Sequence, residues 1–573
     1  MDQKTNHKLI IYQMLPRLFG NTNTTNKFYG SIEENGVGKL NDINDKALTE
    51  IKAMGFTHVW YTGVIEHATM TDYSQYGIKP DDPDVVKGRA GSPYAVKDYY
   101  DIDPDLAVDV NNRMGEFGSL VKRTHANNLR VIIDFVPNHI ARTYNSDARP
   151  EGVRDFGADD DKLRRFSPQN DFYYTPGQAF VVPPGYNPGG DEFVNPLKNG
   201  TFNEWPAKAT GNDVFSATPG INDWFETVKL NYGVDYLNGR QQHFTPTPPV
   251  WQKMYDILHY WAAKGIDGFR CDMVEMVPVE FWSWVIPKIK TEFPALIFIG
   301  EAYDSAKYGT YIFTGHFDYL YDKVGLYDGL KRLMRNEANC TIWDINRVCF
   351  HESVAFPQHM LRFLENHDEV RIAAPGFAGD AWLAVPAMII TATLSTGPVM
   401  IYSGQEVGEP ANGSEGFSGN DGRTSIFDYC GVPEHQKWVN NGAFDGGQLS
   451  DSQKHLREFY SNLLNVSANN EAISIGDFYE LMLLNLHEGY GFDQKTYAYL
   501  RYTDKQRILV VTNFDRNAHD FNVKLPTELL TKWNLDGASA FSDMLGDKVY
   551  HTTDIKNGIG FRIPGASGLV LSF

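Results

Sequence analysis

Four cysteines in 573 residues, Cys271, Cys340, Cys349 and Cys430, are too few to hold a chain of this length in a disulfide framework. They form no CxxC pair and no Cys/His zinc spacing, so free and mostly buried thiols are expected. No uninterrupted apolar run of about 20 residues is present, which argues against a membrane-spanning helix. The first residues, MDQKTNHKLIIYQ, have no apolar signal core, so a cytoplasmic protein is the plain expectation. Excess basic charge is also missing: 52 Lys and Arg stand against 72 Asp and Glu, a formal net charge of −20. That balance disfavours nucleic acid and anionic membrane surfaces as partners, because both need clustered cations, and it suits a neutral ligand. There are no internal repeats and no low-complexity tract.

Apolar and aromatic residues are plentiful, at 42% and 13%. Such a chain can bury large cores, and it can also line a cleft whose aromatic faces stack on apolar ligand surfaces. Length alone suggests roughly two to four domains, although one barrel with insertions can absorb about 400 residues.

Short apolar runs alternate with helical patterns for most of the length. The runs are Leu9–Leu15, His58–Val64, Val131–Val136, Gly268–Val274, Ile297–Tyr303, His316–Asp322, Met360–Leu364 and Pro398–Tyr402. Several are rich in Val and Ile, as strands buried on both faces are. Helical patterns at Ala47–Met54, Met114–Asn127 and Val250–Lys264 precede the second, third and fourth runs. Eight strands with helices between them predict a parallel α/β sheet. Two stretches break the alternation. Residues 141–242 are rich in Gly, Pro, Asn and Asp, as in VVPPGYNPGGDEF, and are too long for a simple loop. From about Phe478 the pattern becomes short strands: TYAYLRYT, ILVVTNF, HDFNVKL, GFRI and GLVLSF.

Acids at the ends of the predicted strands carry the functional signal. Asp134 ends VIID, Asp272 ends GFRCD, Glu301 ends IFIGE, and Asp368 lies in FLENHDE just past the seventh run. One acid in such a place is commonly a structural hydrogen-bonding group. Four at corresponding positions of different strands point to a site at the C-terminal face of a barrel. Cleavage of a glycosidic bond needs two carboxyl groups about one carbon: one protonates the departing oxygen and the other attacks, or activates water. Arg270, two residues before Asp272, lies on the same face of its strand, and a cation there favours the ionised carboxylate.

VIIDFVPNH, GFRCDMVEM, FIGEAYD and FLENHDE resemble, in order and spacing, the four signature segments of the α-amylase family, glycoside hydrolase family 13. SPYAVKDYYDIDP is similar to the segment that this family carries after its second strand. The resemblance implies a (β/α)8 TIM barrel with a domain B inserted after strand 3 and a C-terminal antiparallel β-sandwich. Residues 1–140 and 243–475 would form the barrel, 141–242 the insert and 476–573 the terminal domain. It also implies roles. Asp272 matches the nucleophile, Glu301 the general acid/base, and Asp368 the third acid, which binds sugar hydroxyls. Tyr94, His139 and His367 match residues that stack on or hydrogen-bond the sugar at the cleavage point, with Arg270 beside them. Asp98, Asp134 and Asn138 match supporting residues.

The expected activity is retaining hydrolysis of α-glucosidic, mainly α-1,4, bonds in starch, glycogen or malto-oligosaccharides. A glucanotransferase with the same residues is the nearest alternative, and a non-catalytic sugar-binding relative is a third. Chain-length preference is expected to lie with the insert and the loop from His67 to Gly91. The family's calcium amylases carry His four residues after the nucleophile and often Lys before it. Here Met276 and Glu275 occupy those positions. Calcium in those relatives is held by the Asn of the PNH segment, by insert acids and by the carbonyl at the His position. No insert acid here matches that pattern, so no metal site is expected and the chemistry needs no cofactor. NTNTTN at Asn21–Asn26 reads as an Asn-rich turn without a carboxylate. INDWFETVKLNYGVDY lies where the family carries a fifth motif.

Overall fold

The computed structural model describes residues 8–187, 195, 197–416, 421–487 and 489–573. Part of the VVPPGYNPGGDEF tract lies outside the described residues.

All eight predicted runs are strands of one parallel sheet: β1 (Ile10–Met14), β2 (His58–Tyr61), β3 (Arg130–Phe135), β4 (Gly268–Cys271), β5 (Ile297–Gly300), β6 (Tyr319–Tyr321), β7 (Met360–Leu361) and β8 (Val399–Tyr402). Their spatial order is β7-β6-β5-β4-β3-β2-β1-β8. The ring closes where Arg362, just beyond β7, bridges Val399 of β8. The Arg362 amide donates to Pro398 O at 3.0 Å, and the Met400 amide donates to Arg362 O at 2.9 Å. The structure is thus a nearly closed (β/α)8 barrel. The predicted helices also form, at Asp45–Ala53, Arg113–Ala126 and Pro249–Ala263.

Period-two alternation explains how the barrel makes a site. Outward residues such as Ile10, Tyr12, Val59, Ile133 and Phe298 pack in the large core shared with the helices. Inward residues Ile11, Trp60, Ile132, Ile299, Tyr321, Leu361 and Met400 fill the lumen. Two residues further along each strand direction, the inward row turns polar: Gln13 above Ile11, Thr62 above Trp60, Asp134 above Ile132 and Glu301 above Ile299. An apolar layer therefore carries a buried polar layer at the C-terminal end, where barrel sites form.

After β2 comes a hairpin, Ile65–His67 against Val96–Ile102. The long segment after β3 is an irregular insert. Its first strand, His139–Ala141, pairs antiparallel with Thr227–Lys229. Phe180, Val182, Ala207, Ala217 and Phe225 of this segment form a small apolar cluster together with Val85 of the His67–Gly91 loop. The buried Arg142 guanidinium donates to Phe225 O at 2.6 Å and pairs with Glu204 at 2.5 Å.

At the C-terminus, six antiparallel strands form one sheet in the order Asp477–Glu480, Thr496–Tyr502, Arg507–Asn513, Ser567–Ser572, Ser539–Asp543, Val549–Thr552. His519–Val523 and Ile559–Ile563 form a separate pair. The five runs foreseen from sequence are all present. Ser539–Asp543 and Val549–Thr552 went unforeseen, because Phe541 is their one buried residue and no apolar alternation marks them. Helix Val385–Thr393 is buried on every side, as expected of a helix held between two layers. Thr393 Oγ1 lies 2.5 Å from the Tyr499 hydroxyl, and Arg501 donates to Leu394 O. All four cysteines are free, and Cys349 alone is only half-buried. No helix among the described residues is long and apolar enough to cross a membrane.

The barrel seam yields a stability prediction. Arg362 Nε donates to Asp322 Oδ2 at 3.1 Å, and both side chains are 2% exposed. Arg362→Ala strands a buried carboxylate at the β6–β7–β8 junction, a loss of about 3–5 kcal/mol. Differential scanning calorimetry is expected to show a melting temperature lower by about 2–4 °C. A drop below about 1 °C would mean that closure does not depend on this pair.

Candidate active site

Arg270 is the inward residue of β4, level with Asp134 on β3 and Ile299 on β5. It is fully buried, with its guanidinium 5.3 Å from the ring centres of Trp60 and Tyr94 and 5.6 Å from that of Tyr321. Nη1 lies 2.8 Å from Asp272 Oδ1 and 3.6 Å from Asp134 Oδ1, while Nη2 lies 2.9 Å from Glu301 Oε2. Nε donates to the Tyr321 hydroxyl at 3.1 Å. One cation thus touches three of the four acids singled out from sequence.

Asp272 and Glu301 leave adjacent strands. The turn after Asp272 puts Met273 at φ 42°, a left-handed conformation unusual for a residue with a Cβ. That turn lets the Met273 amide donate to Glu301 Oε2 at 2.9 Å. The other oxygen, Oε1, accepts from the Tyr303 hydroxyl at 2.5 Å. Burial pushes Glu301 up to about 7; the Arg270 charge opposes this, and the neighbouring Asp272 and Asp368 charges add to it. The surroundings of this acid are rich in donors, and burial with like charge does the raising. Asp272 is also raised by burial, against Arg270, so the cation moderates the effect of burial without overcoming it.

Asp368 faces the cleft with its side chain 46% exposed, and its Oδ2 lies 3.1 Å from His367 Nε2. Desolvation would raise it, but the charge and hydrogen bond of His367, with Arg270 and Arg423 behind them, bring it down to about 2. Gln13 Nε2 lies 2.8 Å from His367 Nδ1, and Nε2 of the same ring faces Asp368 and the Tyr94 hydroxyl, 2.6 Å away. Tyr94 also reaches Asp134 Oδ1 at 3.4 Å. Asp134 Oδ2 accepts from Trp60 Nε1 and the Gly63 amide, so this acid braces the floor. His139 is pushed down to about 4 by burial and is therefore a neutral ring at neutral pH. Asn138 donates to its Nδ1 at 3.1 Å, which puts the ring proton on Nε2.

Asp98 stands apart. Its carboxylate accepts from the Tyr100 amide, Ser146 Oγ and the Ala148 amide, and fastens the loop after His139–Ala141 to the hairpin. None of these bonds reaches the acids of the cleft.

A cleft of about 300 Å³ opens over this cluster, lined by Tyr94, His139, Asp272, Glu301, Tyr303 and Asp368. Residues the sequence reading did not single out complete its wall: Lys87, Trp224, Glu226, Arg423 and Phe427. Lys87 comes from the His67–Gly91 loop and pairs with Glu226 at 3.0 Å. Trp224 and Glu226 belong to the INDWFETVKLNYGVDY segment, which was the available signal.

The same segment decides how a cation would be held at the insert–barrel junction. Lys229 Nζ donates to Asn138 Oδ1 at 2.5 Å and to Met276 O at 3.2 Å, and it pairs with Asp213 Oδ1 at 2.6 Å. The Asn of the PNH segment, an insert acid and the carbonyl at position 276 are therefore all turned to a buried ammonium. These oxygens do not fit a calcium ion, which wants six to eight of them at about 2.3–2.6 Å. The Asn21–Asn26 turn is also satisfied internally: Asn21 Oδ1 accepts from the Asn23 amide, Asn23 Oδ1 from Thr25, and Asn26 Oδ1 from Gly431.

Residues 13–425 match the family model described as the α-amylase catalytic domain. α-Amylase 3 of Dictyoglomus thermophilum is 24% identical over 507 residues, 85% of this chain and 82% of that protein. Two solved structures share the fold. A maltogenic α-amylase from Thermotoga neapolitana covers 99% of this chain and 98% of its own, with a TM-score of 0.59 and 20% identity. An α-amylase from Geobacillus thermoleovorans, solved with acarbose, covers 100% and 99%, with a TM-score of 0.61 and 18% identity.

Glu301 makes a prediction that needs no substrate. A carboxyl raised to about 7 in the fold adds stability below its unfolded value, and that contribution is lost as pH rises through 7. Glu301→Gln removes the ionisable group. The variant should melt above the wild type at pH 8, and the gap should shrink towards pH 5. A gap independent of pH would show that Glu301 is not raised.

Proposed function

Because the chain belongs to the α-amylase family of glycoside hydrolases and is a glycosidase acting on α-glucans, we propose that it cleaves mainly α-1,4 bonds by double displacement with retention. The observation that carries this reading is the shared guanidinium: Arg270 contacts Asp272 and Glu301 at 2.8 and 2.9 Å and so holds two carboxyl groups at one point of the cleft. Retaining enzymes need their carboxyl groups about 5–5.5 Å apart, whereas inverting ones leave room for a water between them. The contact of both carboxyl groups with one guanidinium favours the closer arrangement.

In the proposed cycle, Glu301 gives its proton to the departing glycosidic oxygen while Asp272 attacks the anomeric carbon. Glu301, now a carboxylate, then takes a proton from water, which displaces Asp272 and frees the product. Asp368, ionised at working pH, and the neutral His139 bind sugar hydroxyls with His367, and Tyr94 stacks on the ring. Asp134 and Asn138 support this set. Asp98 supports the hairpin and the loop behind it. A sugar hydroxyl replacing water in the second step would make the enzyme a transferase, and the walls formed by Tyr303, Trp224 and Phe427 would select the acceptor. The proposed division is barrel 1–140 and 243–475, insert 141–242 and terminal domain 476–573; the separate small apolar cluster, formed mostly by insert residues, and the separate C-terminal sheet support it.

Asp272→Asn and Glu301→Gln are each expected to cut starch hydrolysis at least 100-fold, with about 1.4 kcal/mol of barrier per tenfold. Proton NMR of fresh products is expected to show the α-anomer first. Initial β-anomer would reject double displacement, and more than a few per cent residual activity in either folded variant would reject its role.

We also propose that the fold stands without calcium, because Lys229 supplies the cation at the junction. Excess EDTA is expected to leave the melting temperature within about 2 °C, while Lys229→Met, which leaves Asp213 and Asn138 without their donor, lowers it by several degrees. A fall of more than about 10 °C on chelation, reversed by calcium and not by magnesium, would overturn this.

A further inference from the structure

We propose that Tyr303 and Glu275 form a positioning pair for the proton that Glu301 transfers. The inference rests on the reading of Glu301 as the acid/base.

The two oxygens of Glu301 are not equivalent. Oε2 accepts the Met273 amide at 2.9 Å and lies 2.9 Å from Arg270 Nη2. Held by the Met273 amide, which can only donate, and set beside the Arg270 cation, Oε2 is the oxygen that stays unprotonated. The acidic proton therefore belongs on Oε1, whose one partner is the Tyr303 hydroxyl at 2.5 Å. A hydroxyl can accept as well as donate. While Glu301 is protonated, the Tyr303 oxygen accepts from Oε1–H and holds the acid in one orientation. Once the proton has left, the hydroxyl turns and donates to the carboxylate. The same contact thus serves both protonation states. Tyr303 also lines the cleft beside Glu301, so the proton is held at the wall that the substrate meets.

Glu275 holds Tyr303 in that place. It lies in the turn Val274–Met276 after β4, while Tyr303 lies in the loop after β5. Glu275 Oε2 accepts the Tyr303 amide at 2.7 Å, and both its oxygens accept the Asp304 amide at 3.2 Å. The carboxylate therefore ties the loop that follows the nucleophile to the loop that carries the hydroxyl. A Lys in its place could not accept from either amide. Sequence comparison marked position 275 as a departure without a reason, and this bond supplies one.

The test separates proton delivery from mere structure. Tyr303→Phe keeps the ring and removes only the hydroxyl, so its melting temperature should stay within about 2 °C of the wild type. On maltotriose, whose leaving group needs a proton, kcat is expected to fall about tenfold or more with KM changed less than threefold. On a nitrophenyl α-maltoside, whose leaving group departs as an anion, the fall should be under threefold. The alkaline limb of kcat/KM should move to higher pH, because the carboxylate loses a donor. Glu275→Ala is expected to repeat this pattern, and Glu275→Gln, whose amide oxygen still accepts, to recover most of it. Equal losses on both substrates, or an unmoved alkaline limb, would overturn the positioning role while leaving the hydrolase reading intact. A wild type inactive on both substrates would instead overturn the reading on which the inference rests.

Discussion

A buried guanidinium has to be surrounded by acids, and most of the cleft follows from meeting that requirement at Arg270. Its side chain is fully buried among Trp60, Tyr94 and Tyr321, where an uncompensated charge would be prohibitive. Asp134, Asp272 and Glu301 compensate it from three adjacent strands. The cost runs both ways. The cation fixes Asp272 and Glu301 relative to each other, and each carboxyl group keeps the cation in place. Parallel register sets this up, since Arg270 lies level with Asp134 and with Ile299, two residues before Glu301. A slip of one residue in any of these strands would turn its acid outward among the helices.

The barrel was legible because its strands are buried on both faces and so read as unbroken apolar runs. The acids stood out because each ends such a run. What local pattern could not show depends on contacts far apart in sequence. Lys229 reads as one polar residue in an alternating strand. Its meaning comes from the pairing of Thr227–Lys229 with His139–Ala141, which brings it to Asn138, 91 positions away. Tyr303 was within sight of Glu301 in FIGEAYD, yet only the turn of the loop puts its hydroxyl on the carboxyl group. Asp98 shows the opposite failure: a position that matches a supporting acid serves the hairpin and the following loop, with no bond to the cleft.

The insert is joined to the barrel by fixed charges of the chain itself. Lys229 binds a barrel side chain, a barrel carbonyl and an insert carboxylate together, and Arg142 fastens the insert's first strand to its later segments. A covalently tethered ammonium has no dissociation equilibrium with the solvent, so under the proposal above the junction would not depend on a free ion concentration, as a bound metal would. Trp224 and Glu226, which line the cleft, lie in the same segment as Lys229. The clamp therefore also sets the position of the wall against which a glucan would lie.

Charge balance explains why the site divides its protons as it does. Asp134, Asp272, Glu301 and Asp368 crowd one buried cation, with Arg423 further out. Asp368 escapes the conflict through His367 and its opening to the cleft, and falls to about 2. Asp134 is held by Trp60 and the Gly63 amide as well as by Arg270. Asp272 and Glu301 remain to share what Arg270 has left, and two adjacent carboxylates resist full ionisation together. The proton settles on Glu301, at about 7, because burial and the charges of Asp272 and Asp368 raise it more than Arg270 and the Tyr303 hydroxyl lower it. No apolar pocket around the acid is needed for that result. Burial, with one cation placed among more acids than it can satisfy, keeps one of them protonated near neutral pH.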